Sequence, residues 1–288
     1  MHAITEPPEP FLAHDGALRV HAVPAASDNI VWIAECTATG ACAFVDGPSA
    51  KEALAYCEQH GLQPTALWNT HTHIDHVGIN SDLQGRGLLD GMQVVGPARA
   101  AAEVPGISHP VDDGDTVSLG ALMGTVWLTE GHIDGHISFV VGDVLFCGDT
   151  LFAGGCGYLF DGPPAKMFRS LMRLAGLPGE TRVCCAHEYT QDNLRFALSV
   201  EPDNAALQER MRRVWALRAA GRATVPSTIE EERATNPFLR PGSPTLLAQV
   251  AAQAPGADLS TPERTFAATR RLKDTGAYKA VDDGALVL

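Results

Sequence analysis

The chain predicts an α+β fold in two parts, a mixed sheet-and-helix domain to about residue 187 and a helical domain after it. Three observations predict this. Up to residue 187, short apolar runs of strand length alternate with turn signals. Beyond it, strand signals nearly vanish and apolar residues recur at helical spacing. The 288 residues, 45% of them hydrophobic, supply enough core to fold without disulfide staples.

The elements follow in order. The first ten residues are proline-rich and read as a loose tail, which the domain assignment extends over residues 1–18. Residues 30–36 and 42–46 read as strands joined in a hairpin around Thr39-Gly40. Ser49 opens a helix, with Glu52 three residues on as in a capping box and Gly61 at its close. Residues 65–70, 93–95, 125–129, 136–141, 144–147 and 182–186 read as further strands, and 163–175 as a helix. After residue 187, helices are predicted over 192–200, 204–220, 228–234 and 262–273, with Thr228 and Glu231 forming a second S/T-x-x-E start. No internal repeat is visible, although a duplicated α-β-β-α sandwich is compatible with the pattern because structural repeats can lack sequence similarity.

The formal net charge of −13 makes nucleic acid a poor partner, since phosphate backbones need a concentrated basic face. No apolar stretch approaches the roughly 20 residues of a membrane helix. The N-terminus has neither a basic n-region nor an apolar run, so no secretory signal and a cytoplasmic location are expected. Seven cysteines, an odd number without paired C-x-x-C spacing, read as buried reduced thiols. No obligate protein partner is inferred.

The densest chemical signal is Thr70-His71-Thr72-His73-Ile74-Asp75-His76, where three histidines and one aspartate fall within six residues after an apolar strand. On extended backbone His71 and His73 point to one side, while Asp75 and His76 follow the turn and approach from another. One loop can thus supply two ligands to each of two adjacent metals, and imidazole with carboxylate suits Zn, Fe or Mn. A lone histidine is commonly a satisfied core or surface residue; four ligand types at H-x-H-x-D-H spacing are not explained that way. Three more candidates stand just after apolar runs: His132, Asp149 and His187. Together they make seven ligands, the number two sites need if Asp149 bridges. His136 is the best candidate to support a ligand from behind, and His2, His14, His21, His60 and His109 read as ordinary.

These residues resemble the metallo-β-lactamase superfamily, and glyoxalase II (hydroxyacylglutathione hydrolase) in particular. The resemblance rests on the T-H-x-H-x-D-H loop, the Gly131-His132 turn, residues 146–152, Gly155-Cys156-Gly157, His187-Glu188-Tyr189-Thr190, Asn236-Pro237-Phe238-Leu239-Arg240 and Arg270-Arg271-Leu272-Lys273-Asp274. It implies a four-layer αββα sandwich over residues 19–187 followed by a small all-helical substrate-binding domain over 188–288. It implies that His71, His73 and His132 hold one metal, that Asp75, His76 and His187 hold the other, and that Asp149 bridges. Asp75 and Asp149 would orient the attacking hydroxide. The implied cofactors are two divalent ions, zinc first, and the implied substrate is a glutathione thioester bound by Tyr158, Tyr189, Arg270 and Lys273. By spacing alone, a solvated helix face explains Arg270 and Lys273; the resemblance makes them an anchor. Three positions depart from the family pattern. Tyr158 stands where a basic residue is usual, Phe160 where some members have tyrosine, and Ala186 where glycine often precedes the histidine. The first two touch the expected glutathione pocket.

Other enzymes share this metal loop. A lactonase would keep both metals but has no use for the Arg270/Lys273 anchor. A glutathione persulfide dioxygenase would keep one iron and need O2. A nucleic-acid-processing relative would want a basic surface, and a non-catalytic metal module would close its coordination spheres. No G-x-S-x-G supports a serine hydrolase.

Overall fold

The computed structural model describes residues 4–280. Among the described residues, seven strands form one sheet and six a second. The first sheet runs β1 (Phe11–Ala13), β2 (Leu18–Ala25), β3 (Asn29–Cys36), β4 (Ala41–Val45), β5 (Gln63–Trp68), β6 (Gln93–Pro97) and β7 (His109–Val111) in spatial order. Its first four strands pair antiparallel and β4 to β7 pair parallel, through α1 (Lys51–His60) and α2 (Ile74–Gly85). The second sheet contains β8 (Thr116–Leu119), β9 (Leu122–Leu128), β10 (Ile137–Val141) and β11 (Val144–Gly148). A small hairpin follows, β12 (Leu151–Phe152) with β13 (Gly155–Cys156), and then α3 (Pro164–Leu174). β14 (Arg182–Cys185) returns parallel to β11, and β15 (Ser227–Thr228) adds a final edge.

Period-2 alternation places both faces of the first sheet in contact with protein. Along β3, Ile30, Trp32, Ala34 and Cys36 join the core shared with the second sheet, while Val31 and Ile33 face Ala53, Cys57, Ile79 and Leu83 of α1 and α2. Met167, Leu171 and Leu174 of α3 join the core shared with the second sheet. The result is the expected αββα layering. All seven cysteines are buried and unpaired.

The helical region comprises α4 (Thr190–Val200), α5 (Ala205–Ala219), α6 (Ile229–Thr235), α7 (Pro244–Gln253) and α8 (Pro262–Thr275). It does not stand apart. β15 comes from this region and extends the second sheet. The β12–β13 hairpin is strapped from the same side. Glu232 accepts from Gly154 N at 2.8 Å, Asn236 Nδ2 donates to Gly155 O at 2.9 Å, and Asn193 Nδ2 donates to Ala153 O at 3.0 Å. Arg270 Nη1 donates to Cys156 O at 3.1 Å. Glu232, fully buried, is neutralised by Arg210 at 2.6 Å and also accepts from Ser227.

Several expectations need correction. The N-terminal tail of residues 1–18 ends earlier than expected, because Phe11–Ala13 pairs with residues 18–20 of β2 across a turn at His14, Asp15 and Gly16, all at positive φ. The alternation of Leu18, Val20 and Ala22 into the core carries β2. Even Thr5 and Glu6 donate to Gly221 O. His2 lies outside the described residues. Ser49 does not cap α1, which starts at Lys51; its hydroxyl bonds the Glu52 carboxylate, and Ala50 N donates to Asp82. Gly61 does close that helix, at φ 68°, and Thr228 does cap α6 by accepting from Glu231 N. Helices α2 and α7 were not anticipated. α2 carries Gly78, a poor helix former, yet a Cβ there would lie 2.2 Å from the Pro48 carbonyl oxygen, so tertiary contact overrides propensity.

Removing one partner of the buried Arg210–Glu232 pair leaves an uncompensated charge. Arg210→Ala is expected to lower stability by about 3–5 kcal/mol in equilibrium urea unfolding; a loss below about 1 kcal/mol, the range of exposed pairs, would show that water reaches Glu232.

Candidate metal centre and substrate cleft

The candidate ligands converge at the C-terminal ends of β5, β9, β11 and β14, where rigid strands deliver loops to one edge. The two sheets are tied there. Ile30 N donates to Ala186 O at 2.7 Å, Glu188 N donates to Asp28 O at 2.9 Å, and the buried Trp32 indole donates to Cys185 O at 2.8 Å.

All seven predicted metal ligands come together. His71, His73, His132 and Asp149 present ligand atoms within 4.8 Å of one another, as do Asp75, His76 and His187. The two groups meet at Asp149. Its Oδ2 lies 3.4 Å from His132 Nε2, and its Oδ1 lies 3.4 Å from His76 Nε2 and 3.5 Å from His187 Nε2. His73 Nδ1 is 3.2 Å from His71 Nε2 and 3.0 Å from His132 Nε2, and Asp75 Oδ2 is 3.3 Å from His187 Nε2. Ligands bonded at about 2.0–2.2 Å in a tetrahedron stand roughly 3.3–3.6 Å apart, so these separations match a coordination sphere.

The chemistry of the donors also fits. His76 Nε2 and Asp149 Oδ1 are buried without a hydrogen-bond partner, a costly arrangement unless a cation completes it. Four rings are fixed from behind so that Nε2 faces inward. His132 Nδ1 donates to Tyr158 O at 2.7 Å, and His187 Nδ1 to Asp28 at 2.9 Å. His71 Nδ1 lies 3.1 Å from Thr70 Oγ1, and His76 Nδ1 lies 3.0 Å from Asp46 Oδ2. Such outer contacts set tautomer and orientation. Asp46 also groups with His71 and His76, but its oxygens are taken by Thr70 N and Oγ1 as well as the far side of His76, which makes it a support. His136 supports from behind, as expected: it accepts from Asp149 N at 3.2 Å and stacks on His71 at 4.6 Å.

Electrostatics follow from this crowding. Burial, reinforced by neighbouring His76, holds His71 well below the ordinary histidine range. Burial works against charge on His76 too, but the Asp149 and Asp46 carboxylates outweigh it and push that ring well up. His187 is likewise raised, to about 9, because Asp149, Asp28 and Asp75 overcome its burial. Burial opposes ionisation of Asp149, yet His76 and His187 hold it below the usual carboxylate range.

A cleft of about 340 Å³ opens beside the centre, lined by Phe152, Cys156, Tyr158, Tyr189, Asp192, Asn193, Arg195, Arg270, Lys273 and Lys279. All four predicted substrate-binding residues line it. Tyr189 stacks on His187 at 4.7 Å, joining cleft to metal centre. Arg270 is largely committed: it bonds Asp274 and Cys156 O and lies over the Phe238 ring. Lys273 is the more available cation. It contacts Asn193, and burial together with the Arg270 charge draws its ammonium down to about 7. Gly157 packs tightly against the centre: a Cβ there would lie 2.1 Å from Asp149 O and 2.8 Å from His132 Nδ1.

Sequence reasoning missed Asp28, Asn29, Asp46, Asn193 and Lys279. Asp46 follows a strand as the ligands do, so the same strand-end pattern could have found it. Asn29 Nδ2 donates to Asp75 Oδ2 at 3.3 Å, and nothing in its local sequence marks that contact.

Residues 43–187 match the family described as the metallo-beta-lactamase superfamily, and residues 188–276 match that described as the hydroxyacylglutathione hydrolase C-terminus. A hydroxyacylglutathione hydrolase of Maricaulis maris is 45% identical over 90% of this chain and 98% of its own length. One of Gloeobacter violaceus is 48% identical over 88% of this chain and 98% of its own. The chain belongs to the hydroxyacylglutathione hydrolase family. Solved structures at lower identity share the fold: ETHE1 from Myxococcus xanthus (TM-score 0.58, 22% identical, 89% of this chain and 99% of that one) and the BLEG-1 B3 metallo-beta-lactamase (0.57, 17%, 77% and 99%). As in the family pattern, a His/Asp centre of metal-binding composition adjoins a C-terminal helical segment, here packed on the cleft. No described helix is long and apolar enough to cross a membrane.

Because Asp149 faces both ligand groups, Asp149→Ala is expected to weaken metal binding at least about tenfold and abolish hydrolysis. Elemental analysis of purified wild type and variant checks this; full metal content with retained turnover would remove Asp149 from the shared position.

Proposed function

We propose that the protein hydrolyses S-(2-hydroxyacyl)glutathione thioesters, such as S-D-lactoylglutathione to glutathione and D-lactate, with two divalent ions held by the seven ligands. The observation that carries this reading is the adjacency, through the stacked His187 and Tyr189 rings, of a two-group ligand centre and a cleft whose walls hold Arg270, Lys273 and Lys279. His71, His73 and His132 would hold one ion, Asp75, His76 and His187 the other, with Asp149 between them. A set of imidazoles and carboxylates without thiolate suits zinc, with iron or manganese also accommodated. When bound, such ions supply Lewis acidity, making hydroxide available at neutral pH and stabilising charge on a carbonyl oxygen.

The chain's own residues do the rest. Asp75 and Asp149 orient the attacking hydroxide. Tyr189 and Phe152, packed edge to face at 5.2 Å, wall the inner cleft beside His187 and limit water there. A glutathione thioester carries two carboxylates and one ammonium, so its net charge is negative. On a protein of net charge −13, cations must be concentrated locally to receive it, and Lys273 and Lys279 line this cleft. The leaving group is a thiol of ordinary pKa near 8.5, which departs as thiolate without a dedicated acid. Membership in a family whose relatives bear the hydroxyacylglutathione hydrolase name supports the same reading.

Purified protein loaded with zinc is expected to consume S-D-lactoylglutathione, followed as loss of thioester absorbance; no turnover in a sample carrying two metals per chain would reject the substrate class. The cleft also sets a pH dependence. Lys273 is charged below about 7 and neutral above it, so the attraction for an anionic substrate is lost as pH rises through 7. KM is expected to climb about tenfold between about pH 6 and pH 8, the scale of one charged hydrogen bond. Lys273→Arg, which keeps its charge, is expected to flatten that rise. A wild-type KM that is constant over this range would place the carboxylate of the substrate elsewhere.

A further inference from the structure

We propose that Asp192 and Lys279 form a subsite for the γ-glutamyl end of the glutathione thioester, Lys279 receiving its carboxylate and Asp192 its ammonium. This rests on the thioesterase reading and adds a specificity-determining pair to it.

Among the described residues that line the cleft, Asp192 is the single acid, and it stands beside a cation. An acidic residue in the first turn of a helix, as Asp192 is in α4, commonly serves the helix alone. Two side chains brought from beyond α8 give this one a further role. Gly276, at φ 69°, closes α8, and the chain coils through residues 277–280, where Lys279 N donates to Gly276 O at 3.0 Å. Tyr278 is buried there, edge to face with Phe196 at 5.3 Å, and its hydroxyl donates to Asp192 Oδ2 at 2.7 Å. That bond fixes the carboxylate and leaves Oδ1 to Lys279, whose Nζ lies 3.8 Å away. The distance is too long for a hydrogen bond, and the lysine side chain is 62% exposed, so the pair contributes little to stability. It instead presents opposite charges a few ångströms apart, each with bonding capacity to spare. Both Tyr278 and Lys279 stand past residue 276, where the match to the hydroxyacylglutathione hydrolase C-terminus ends.

Ligand chemistry selects the end that fits. The thioester sulfur must lie near the metal centre, which Tyr189 adjoins, and Asp192 follows Tyr189 by three positions at the start of α4. From the cysteine the peptide runs in two directions. The glycyl arm ends in a carboxylate alone, for which a cation such as Lys273 suffices. The γ-glutamyl arm ends in a carboxylate and an ammonium on one carbon. A cation alone would draw the first and repel the second, so this end needs opposite charges side by side. Among the described lining residues only Asp192 supplies the negative one, with Lys279 beside it.

The test compares zinc-loaded protein on S-D-lactoylglutathione and on S-D-lactoyl-N-acetylcysteinylglycine, which keeps the thioester and the glycyl arm but ends in an acetyl group in place of γ-glutamyl. Kinetics at neutral pH are expected to give a kcat/KM about tenfold higher for the glutathione ester, with the difference in KM, the scale of two exposed charge pairs. Lys279→Met and Asp192→Asn are each expected to cut this preference about threefold by raising KM for the glutathione ester. The sign for Asp192→Asn is decisive: were the cleft only a positive field, removing an anion would lower KM for a negatively charged substrate. The amide oxygen in Asp192→Asn still accepts from Tyr278, and Lys279 is exposed, so neither change threatens folding. A lowered KM in Asp192→Asn, equal efficiency of the wild type on both esters, or a preference unchanged in both variants overturns the subsite while leaving the thioesterase reading intact. Turnover of neither ester by the wild type overturns both.

Discussion

Asp149 is the point on which the rest of the structure depends. Its carboxylate is buried, with one oxygen turned to His132 and the other to His76 and His187. A buried anion among imidazoles is tolerable only if charge is balanced at close range, and the balance constrains everything nearby. Each ring must show a chosen nitrogen to the centre, which requires a partner on its far side. Those partners, Asp28, Asp46, Thr70 and the Tyr158 carbonyl, come from different strand ends. The sandwich serves this need: two sheets aimed at one edge supply more rigid strand ends than either alone.

The same edge separates two electrostatic tasks. Within the centre, carboxylates and imidazoles are packed so tightly that protonation of one group depends on its neighbours. In the cleft, Arg270, Lys273 and Lys279 gather positive charge on a molecule that is otherwise acidic. The stacked His187 and Tyr189 rings divide these environments, and Gly157 lets its loop pack directly against the centre, because any side chain there would collide with the Asp149 backbone and the His132 ring. The arrangement lets an anionic ligand be gathered by one field and processed in another.

The centre was legible in sequence because its ligands are local. The four strand ends that matter carry their ligands within a few residues of an apolar run, and the H-x-H-x-D-H loop concentrates four of the seven ligands. The supports were harder to see. His136 was visible by its spacing from His132, but Asp28 reaches His187 across 159 positions of sequence, and no local pattern encodes such a contact. Among the elements, most strands with alternation or fully apolar runs were found, but β2 was overlooked beside a proline-rich start, and β8 was overlooked although Val117 and Leu119 alternate into the core. The two-residue strands β12, β13 and β15 are too short to show a period. α2 was hidden because Gly78 and Gly85 lower its helical propensity, and its formation depends on tertiary contact with Pro48 that the local sequence cannot display.

The strapped β12–β13 hairpin has a consequence for how such a protein diversifies. Glu232, Asn236, Asn193 and Arg270 hold it from four places in the helical region, while its own chain belongs to the sandwich. A drift in hairpin backbone must then be matched by compensating drift in several distant helices, so the two regions evolve as one linked unit. A chimaera assembled from the sandwich of one relative and the helices of another would inherit straps cut to the wrong length.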